Sequence, residues 1–187
     1  MTNADSYWIE KPEQLACLAS SRRQAVLDLV ATFGPMSVTD LSRLSRLRRT
    51  TLYQHIGKLL ETGLVLPAGQ RGKGPRAEQL YRTPARRMRL ARALAEDANA
   101  VPVGKIAGAM LRQAQRDIDS GMISERKQVT GPQTNLLFHR LAGAPPPEKL
   151  EEINRKIDEL KSLLMDAGPD SGAPIAITIA MAPVDQA

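Results

Sequence analysis

The tightest constraint in this chain lies at residues 48–62. Leu52, Ile56, Leu59 and Leu60 fall at i, i+4, i+7 and i+8, a spacing that a helix gathers onto one face. The opposite face is polar and cationic, with Arg49, Thr50, Tyr53, Gln54, Gly57 and Lys58. Such a helix buries one side and offers the other to a partner. Just upstream, Ser37-Val-Thr-Asp40 has the spacing of a capping box and opens a short helix through Leu41, Leu44 and Ser45. A tight break at 45–48 separates the two helices. Before them, Ala25, Val26, Leu29, Val30 and Phe33 mark a helix face over 22–32, which Gly34-Pro35 ends. Gly63 suits the C-terminal cap of the second periodic run. Gly57 inside that run costs about 1 kcal/mol relative to Ala, and is either tolerated or admits a close backbone.

Beyond these helices, Leu64-Val65-Leu66 reads as a short strand and Gln79-Leu-Tyr-Arg82 as a second. The residues between them, 67–78, are glycine-rich and basic through Arg71, Lys73 and Arg76. Helix, helix, turn, helix and a cationic hairpin is the order of a winged helix-turn-helix domain, expected here at residues 12–84. Its physics suits duplex DNA: a helix fits the major groove, and a thin hairpin reaches the adjacent minor groove or backbone. The glycines at 69–74 superficially suggest a phosphate-cradling loop. They lack the GK[ST] ending and lie between strands, which rejects that reading.

Four runs carry a family resemblance. They are Leu18-Ala-Ser-Ser-Arg-Arg-Gln-Ala-Val-Leu-Asp-Leu, Gly34-Pro-Met-Ser-Val-Thr-Asp-Leu, Thr51-Leu-Tyr-Gln-His-Ile and Leu59-Leu-Glu-Thr-Gly-Leu-Val65. Together they resemble the ArsR-type winged-helix regulators, a prokaryotic class of transcriptional regulator. The resemblance implies that 48–62 is the recognition helix, with Tyr53 and Gln54 at base-contact positions. It also implies a homodimer and repression by blocking polymerase. Two positions depart from the pattern: Arg48 stands where a small hydroxyl cap is usual, and Lys58 where an apolar residue is usual.

Charge agrees with a polyanion partner. Residues 20–90 carry fourteen Lys and Arg against four acids, whereas the rest of the chain has twelve against sixteen. Taken alone, the basic face also fits an ordinary solvated surface; joined to the helix order and the hairpin, it points to double-stranded DNA. The expected recognition-helix contacts are Arg48, Arg49, Thr50, Thr51, Tyr53, Gln54 and Lys58. Of these, Arg49, Thr50, Tyr53 and Gln54 are nearest the base edges, because the start of such a helix reaches furthest into the groove. Arg71, Lys73 and Arg76 on the hairpin are expected to hold phosphates. The alternative is a winged-helix module that binds protein or RNA, although aromatics at 3% leave little for base-stacking.

Other chemistries find no motif. Cys17, His55 and His139 are the chain's single cysteine and its two histidines. None is paired at a ligand spacing, so no metal, cofactor or enzyme activity is expected. Cys17 reads as a small core residue, and His55 and His139 as structural. The lone cysteine excludes an intramolecular disulfide and fits a reducing cytoplasm. Residues 1–10 lack the basic and apolar regions of a signal peptide, and nothing in the sequence is apolar enough to span a membrane.

The second half reads as an assembly device. Arg86, Arg87, Arg89 and Arg92 lie among Met88, Leu90 and Leu94 in a basic helical or linking segment. Ile106, Ala107, Met110, Leu111, Ala114 and Ile118 then form one apolar stripe over 103–118. It is expected to dimerise the chain, with Ile106, Met110, Leu111, Ala114 and Ile118 at the interface; the competing reading packs it on its own domain. Residues 136–140 read as a strand, and 148–165 as a helix whose Leu150, Ile153, Ile157, Leu160 and Leu164 step by 3, 4, 3 and 4. That stripe is expected to meet a sheet or a partner helix. After the 168–172 break, the alternating residues 175–181 read as a further strand. The expected fold is therefore α+β and mainly helical. It comprises the 12–84 domain, a linker and dimerisation helix at 85–125, and a small strand-helix-strand unit at 126–187. No convergent polar cluster marks an effector site.

Overall fold

A computed structural model of the chain describes residues 6–166 and 172–184. The chain divides into two compact units, Met1–Arg116 with Ile177–Ala187, and Asp117–Ala176. Most of the expected break at 168–172 lies outside the described residues.

In the first unit, α1 (Pro12–Leu18) and α2 (Ser21–Phe33) are followed by β2 (Met36–Ser37), α3 (Val38–Ser45) and α4 (Arg49–Glu61). Pro12 starts α1 where its missing N–H costs nothing. Gly34 ends α2 at φ 77°, a left-handed conformation that favours glycine. Ser37 caps α3 by accepting from the Asp40 amide, and Asp40 accepts in return from the Ser37 amide at 2.9 Å. The capping box expected from spacing is thus formed. Thr62 closes α4, and Gly63 just beyond it turns the chain at φ 69°.

Apolar faces of α2, α3 and α4 meet in one core with Leu15, Leu64 and Val65. Val26, Val30, Leu41, Leu52, Leu59, Leu64 and Val65 are at most 1% exposed. Burying a side chain of this size stabilises by about 1.5–3 kcal/mol each. Cys17 is buried among them. Gln14 is buried too, donating to the Tyr7 hydroxyl at 2.8 Å and to the Thr62 carbonyl at 3.0 Å, so it satisfies the end of α4.

The strand expected at 64–66 is displaced. Leu64 and Val65 are core residues in a turn, and β3 runs Leu66–Arg71, well into the expected loop. Apolar character marked burial there, whereas the strand is held by its ladder to β4 (Glu78–Arg82). Leu66 pairs with Arg82 and Arg71 with Glu78, around an irregularity between Pro67 and Gln70. With β2 on the other side of β4, the sheet order is β2-β4-β3. Pro67, which has no N–H to give, sits on the edge strand as it must.

A second, two-stranded sheet pairs β1 (Ser6–Trp8) in parallel with β5 (Arg87–Arg89). The basic segment expected as helix or linker is therefore part strand, followed by α5 (Ala91–Leu94). Trp8 carries the Arg92 guanidinium 4.4 Å and that of Arg89 5.6 Å from its ring centre. Each such contact is worth about 0.5–1 kcal/mol.

Helix α6 spans Ala100–Met122. Its first half packs on the domain: Ile106 is 5% exposed and Ala109 fully buried. The Gln24 amide, itself buried, donates to the carbonyls of Leu18 at 2.6 Å and Ile106 at 2.9 Å. Ile106 is therefore corrected as an interface residue, since its surface is already spent within the chain. Leu111 remains 53% exposed, and Met110, Ala114 and Ile118 are half-buried.

In the second unit, α7 (Pro147–Asp166) forms as its periodicity requires. None of its described side chains is buried, and Leu150, Ile153 and Leu160 remain about two-fifths exposed. Residues 136–140 are not a strand, and neither are 175–181, most of which belong to the first unit, where Ile175, Ile177, Ile179 and Met181 are exposed. Alternation makes a segment compatible with a pleated sheet, but a strand exists only against a neighbour. Among the described residues, the expected strand-helix-strand unit is a helix alone. His139, placed on one of those strands, is exposed.

Candidate nucleic-acid interface

Helix α4 owes its direction to three side chains, since Leu52, Ile56 and Leu59 are anchored in the core. Rotation about the axis then leaves Arg49, Thr50, Tyr53, Gln54 and Lys58 on the outer face, all exposed. Tyr53, at 59% exposure, is a large aromatic left in water. Arg48, also exposed, occupies the N-cap in extended conformation with no side-chain cap bond. The first amides of α4 therefore lack the hydroxyl partner that a Ser or Thr would supply, and they favour an anion. Thr51 is half-buried. Lys58 pairs with Glu61 at 2.8 Å across one turn of exposed helix, a contact worth little in water. No Cβ neighbour lies within 4 Å of Gly57, so that glycine admits no close backbone and is merely tolerated.

The turn between α3 and α4 is held by short-range bonds. Arg46 adopts φ 58°, the only non-glycine residue in the left-handed region among those described. The Ser42 hydroxyl donates to the Leu47 carbonyl at 2.8 Å, and the Ser45 hydroxyl to that of Leu41 at 2.6 Å. The turn places exposed Arg43, Arg46, Arg48 and Arg49 close together in sequence, a run of cations at the start of α4.

The hairpin divides its expected phosphate contacts into two kinds. Lys73 and Arg76 lie on the exposed tip, Arg76 in a 3-10 turn at Gly74–Arg76, and neither makes an ion pair among the described residues. Arg71 is different. Its Nη2 lies 3.0 Å from Asp40 Oδ2, 2.6 Å from Glu78 Oε2 and 3.2 Å from Ser37 Oγ. Burial works to raise the Asp40 carboxyl, but bonds from Arg71 and Ser37 prevail and hold it below its ordinary range. Glu78 is lowered too, first by the Thr39 hydroxyl and then by Arg71.

His55 lies on the flank of α4, half-buried, with Nε2 shielded and unpartnered among the described residues. Burial, then the charges of Arg23 and Arg22, push its pKa below the usual histidine value. It is a neutral packing residue at neutral pH, as its sequence position suggests. No cluster of three metal-ligating side chains occurs among the described residues, and none of their helices is long and apolar enough to cross a membrane.

Sequence reasoning missed Trp8 with its two arginines, and the buried Gln14 and Gln24. The glutamines had a faint signal as polar residues inside apolar helical runs. The Trp8 sheet had none, because its partner strand is about eighty residues away in sequence and local patterning carries no long-range pairing.

Residues 18–67 match a protein-family model described as a helix-turn-helix domain. The match covers α2, α3, α4 and the start of β3, the elements that carry the cationic face. A helix-turn-helix domain is a DNA-binding regulatory module, which supports DNA as a partner for this part of the chain. No curated protein matches the chain.

Proposed function

We propose that this protein is a sequence-reading, double-stranded DNA-binding regulator of the winged helix-turn-helix, ArsR-like kind, acting as a homodimeric repressor. The observation that carries the reading is the outer face of α4. Arg49, Thr50, Tyr53 and Gln54 stand exposed there on a helix fixed by Leu52, Ile56 and Leu59, within the matched helix-turn-helix region. In this reading α4 enters the major groove, where Arg49 and Gln54 address guanine and adenine edges. Arg48, Thr51 and Lys58 flank it, and Lys73 and Arg76 on the hairpin hold phosphates. Two copies joined through Met110, Leu111, Ala114 and Ile118 of α6 present two such helices to a pseudo-palindromic site. Repression by exclusion of polymerase follows from the ArsR resemblance.

The test is selection of bound sequences from random duplexes, followed by competition. A recovered motif with two half-sites about one helical turn apart, resistant to random-duplex competitor at physiological salt, is the expected result. Equal competition by random DNA sinks sequence reading, and a preference for RNA redirects the surface to another partner.

A further inference from the structure

The hairpin is tied to the helical core by side chains from three elements. Arg71 closes β3, Glu78 opens β4, and Asp40 stands in the first turn of α3, whose cap is Ser37. One guanidinium nitrogen reaches Asp40 at 3.0 Å, Glu78 at 2.6 Å and Ser37 at 3.2 Å, while the Thr39 hydroxyl donates to Glu78. We propose that Arg71, Asp40 and Glu78 form a latch that fixes the hairpin against the N-terminus of α3, making Arg71 a positioning residue and not a phosphate contact. The inference rests on the DNA-reading function proposed above and assigns that interface a rigid part and a contacting part.

Two further facts favour it. The latch contains one cation and two anions, so a phosphate approaching Arg71 meets net repulsion, whereas residues 72–77 hold Lys73 and Arg76 and no acid. The backbone ladder joining the hairpin to the core is also slight. β2 offers β4 only Met36 opposite Tyr81 and Ser37 opposite Leu80, and β3 is irregular between Pro67 and Gln70. The latch acts at Arg71 and Glu78, the last paired residues before the tip, where a small rotation displaces Lys73 and Arg76 most. Holding them in place before binding removes an ordering cost from the encounter.

The experiment follows binding of the full chain to a fluorescent random duplex by anisotropy, across a range of salt concentrations. K73A is expected to lower the slope of log affinity against log salt by about one. R71M is expected to keep the wild-type slope and shift the whole line to affinities roughly threefold to tenfold weaker. D40N/E78Q, which dissolves the latch while keeping Arg71, is expected to weaken binding in the same parallel manner. R71M and K73A melt within about 2 °C of wild type, because the ion pairs of the half-exposed Arg71 contribute little stability; D40N/E78Q also weakens the α3 capping box and melts lower. A slope lowered by about one in R71M, with tighter binding by D40N/E78Q, overturns the latch alone. A K73A slope equal to wild type overturns the hairpin's place on the duplex, and the latch proposal with it.

Discussion

Arg49 and Gln54 leave the same exposed face of α4 carrying different hydrogen-bonding forks, and Lys73 leaves the hairpin carrying a point charge. Their replacement is expected to have different consequences. Gln54→Ala or Arg49→Ala should relax discrimination at one base pair by about 1–3 kcal/mol, read by competition with singly substituted duplexes. Lys73→Ala should weaken every duplex alike. Equal behaviour of the two kinds of variant would refute the division of labour. His55 gives a separate prediction from pH. Its folded pKa lies below the ordinary histidine value of about 6.5, so below that pH the unfolded chain binds the proton more readily. Stability is therefore whole above about pH 6.5 and declines as pH falls toward the folded value. Urea midpoints at pH 7.5 and 5.5 should separate in wild type and converge in His55→Gln. Asp40 and Glu78, held below the ordinary carboxylate range, lose their contribution only under stronger acid, below about pH 4.

Among the elements, α3 and α4 make the sharpest predictions because their ends are explicit. Ser37→Ala removes the cap of α3 and should cost about 1 kcal/mol. Gly57→Ala should stabilise α4 by about 1 kcal/mol, since no atom lies within 4 Å of the added methyl. Gly63→Ala, forced to φ 69°, should cost about 1 kcal/mol instead. Urea unfolding of the three variants checks the signs, and destabilisation by Gly57→Ala would mean a neighbour is pressed against that face. These helices were legible in the sequence because apolar spacing and caps are local, and Leu52, Ile56 and Leu59 are buried as spacing required. The outward set of Arg49, Tyr53 and Gln54 was legible for the same reason. The role of Arg71 was not. A sequence gives its charge but not the two carboxylates that reach it, one of them thirty-one residues away. β1 with β5, and the absence of strands at 136–140 and 175–181, were hidden likewise, since strand formation depends on a distant partner.

At the scale of the whole molecule, apolar surface is unevenly spent. Residues up to 116 bury a continuous core, whereas no described side chain between residues 117 and 184 is buried. The stripe of α6 divides between these regimes, with Ile106 inside and Leu111 in water. If this stripe joins two copies as proposed, Met110→Glu should convert a dimer to a monomer in sedimentation. An unchanged dimer would move the interface elsewhere. Against that background the Gln24 amide on the Ile106 carbonyl works as the key of a lever. From that point to Arg116 the helix runs about 15 Å, so a tilt of about 5° at the key displaces Arg116 by about 1 Å. A polar side chain of α2 thereby sets the aim of α6. Trading Gln24 for an apolar residue of equal bulk would spare the core's volume and lose its alignment.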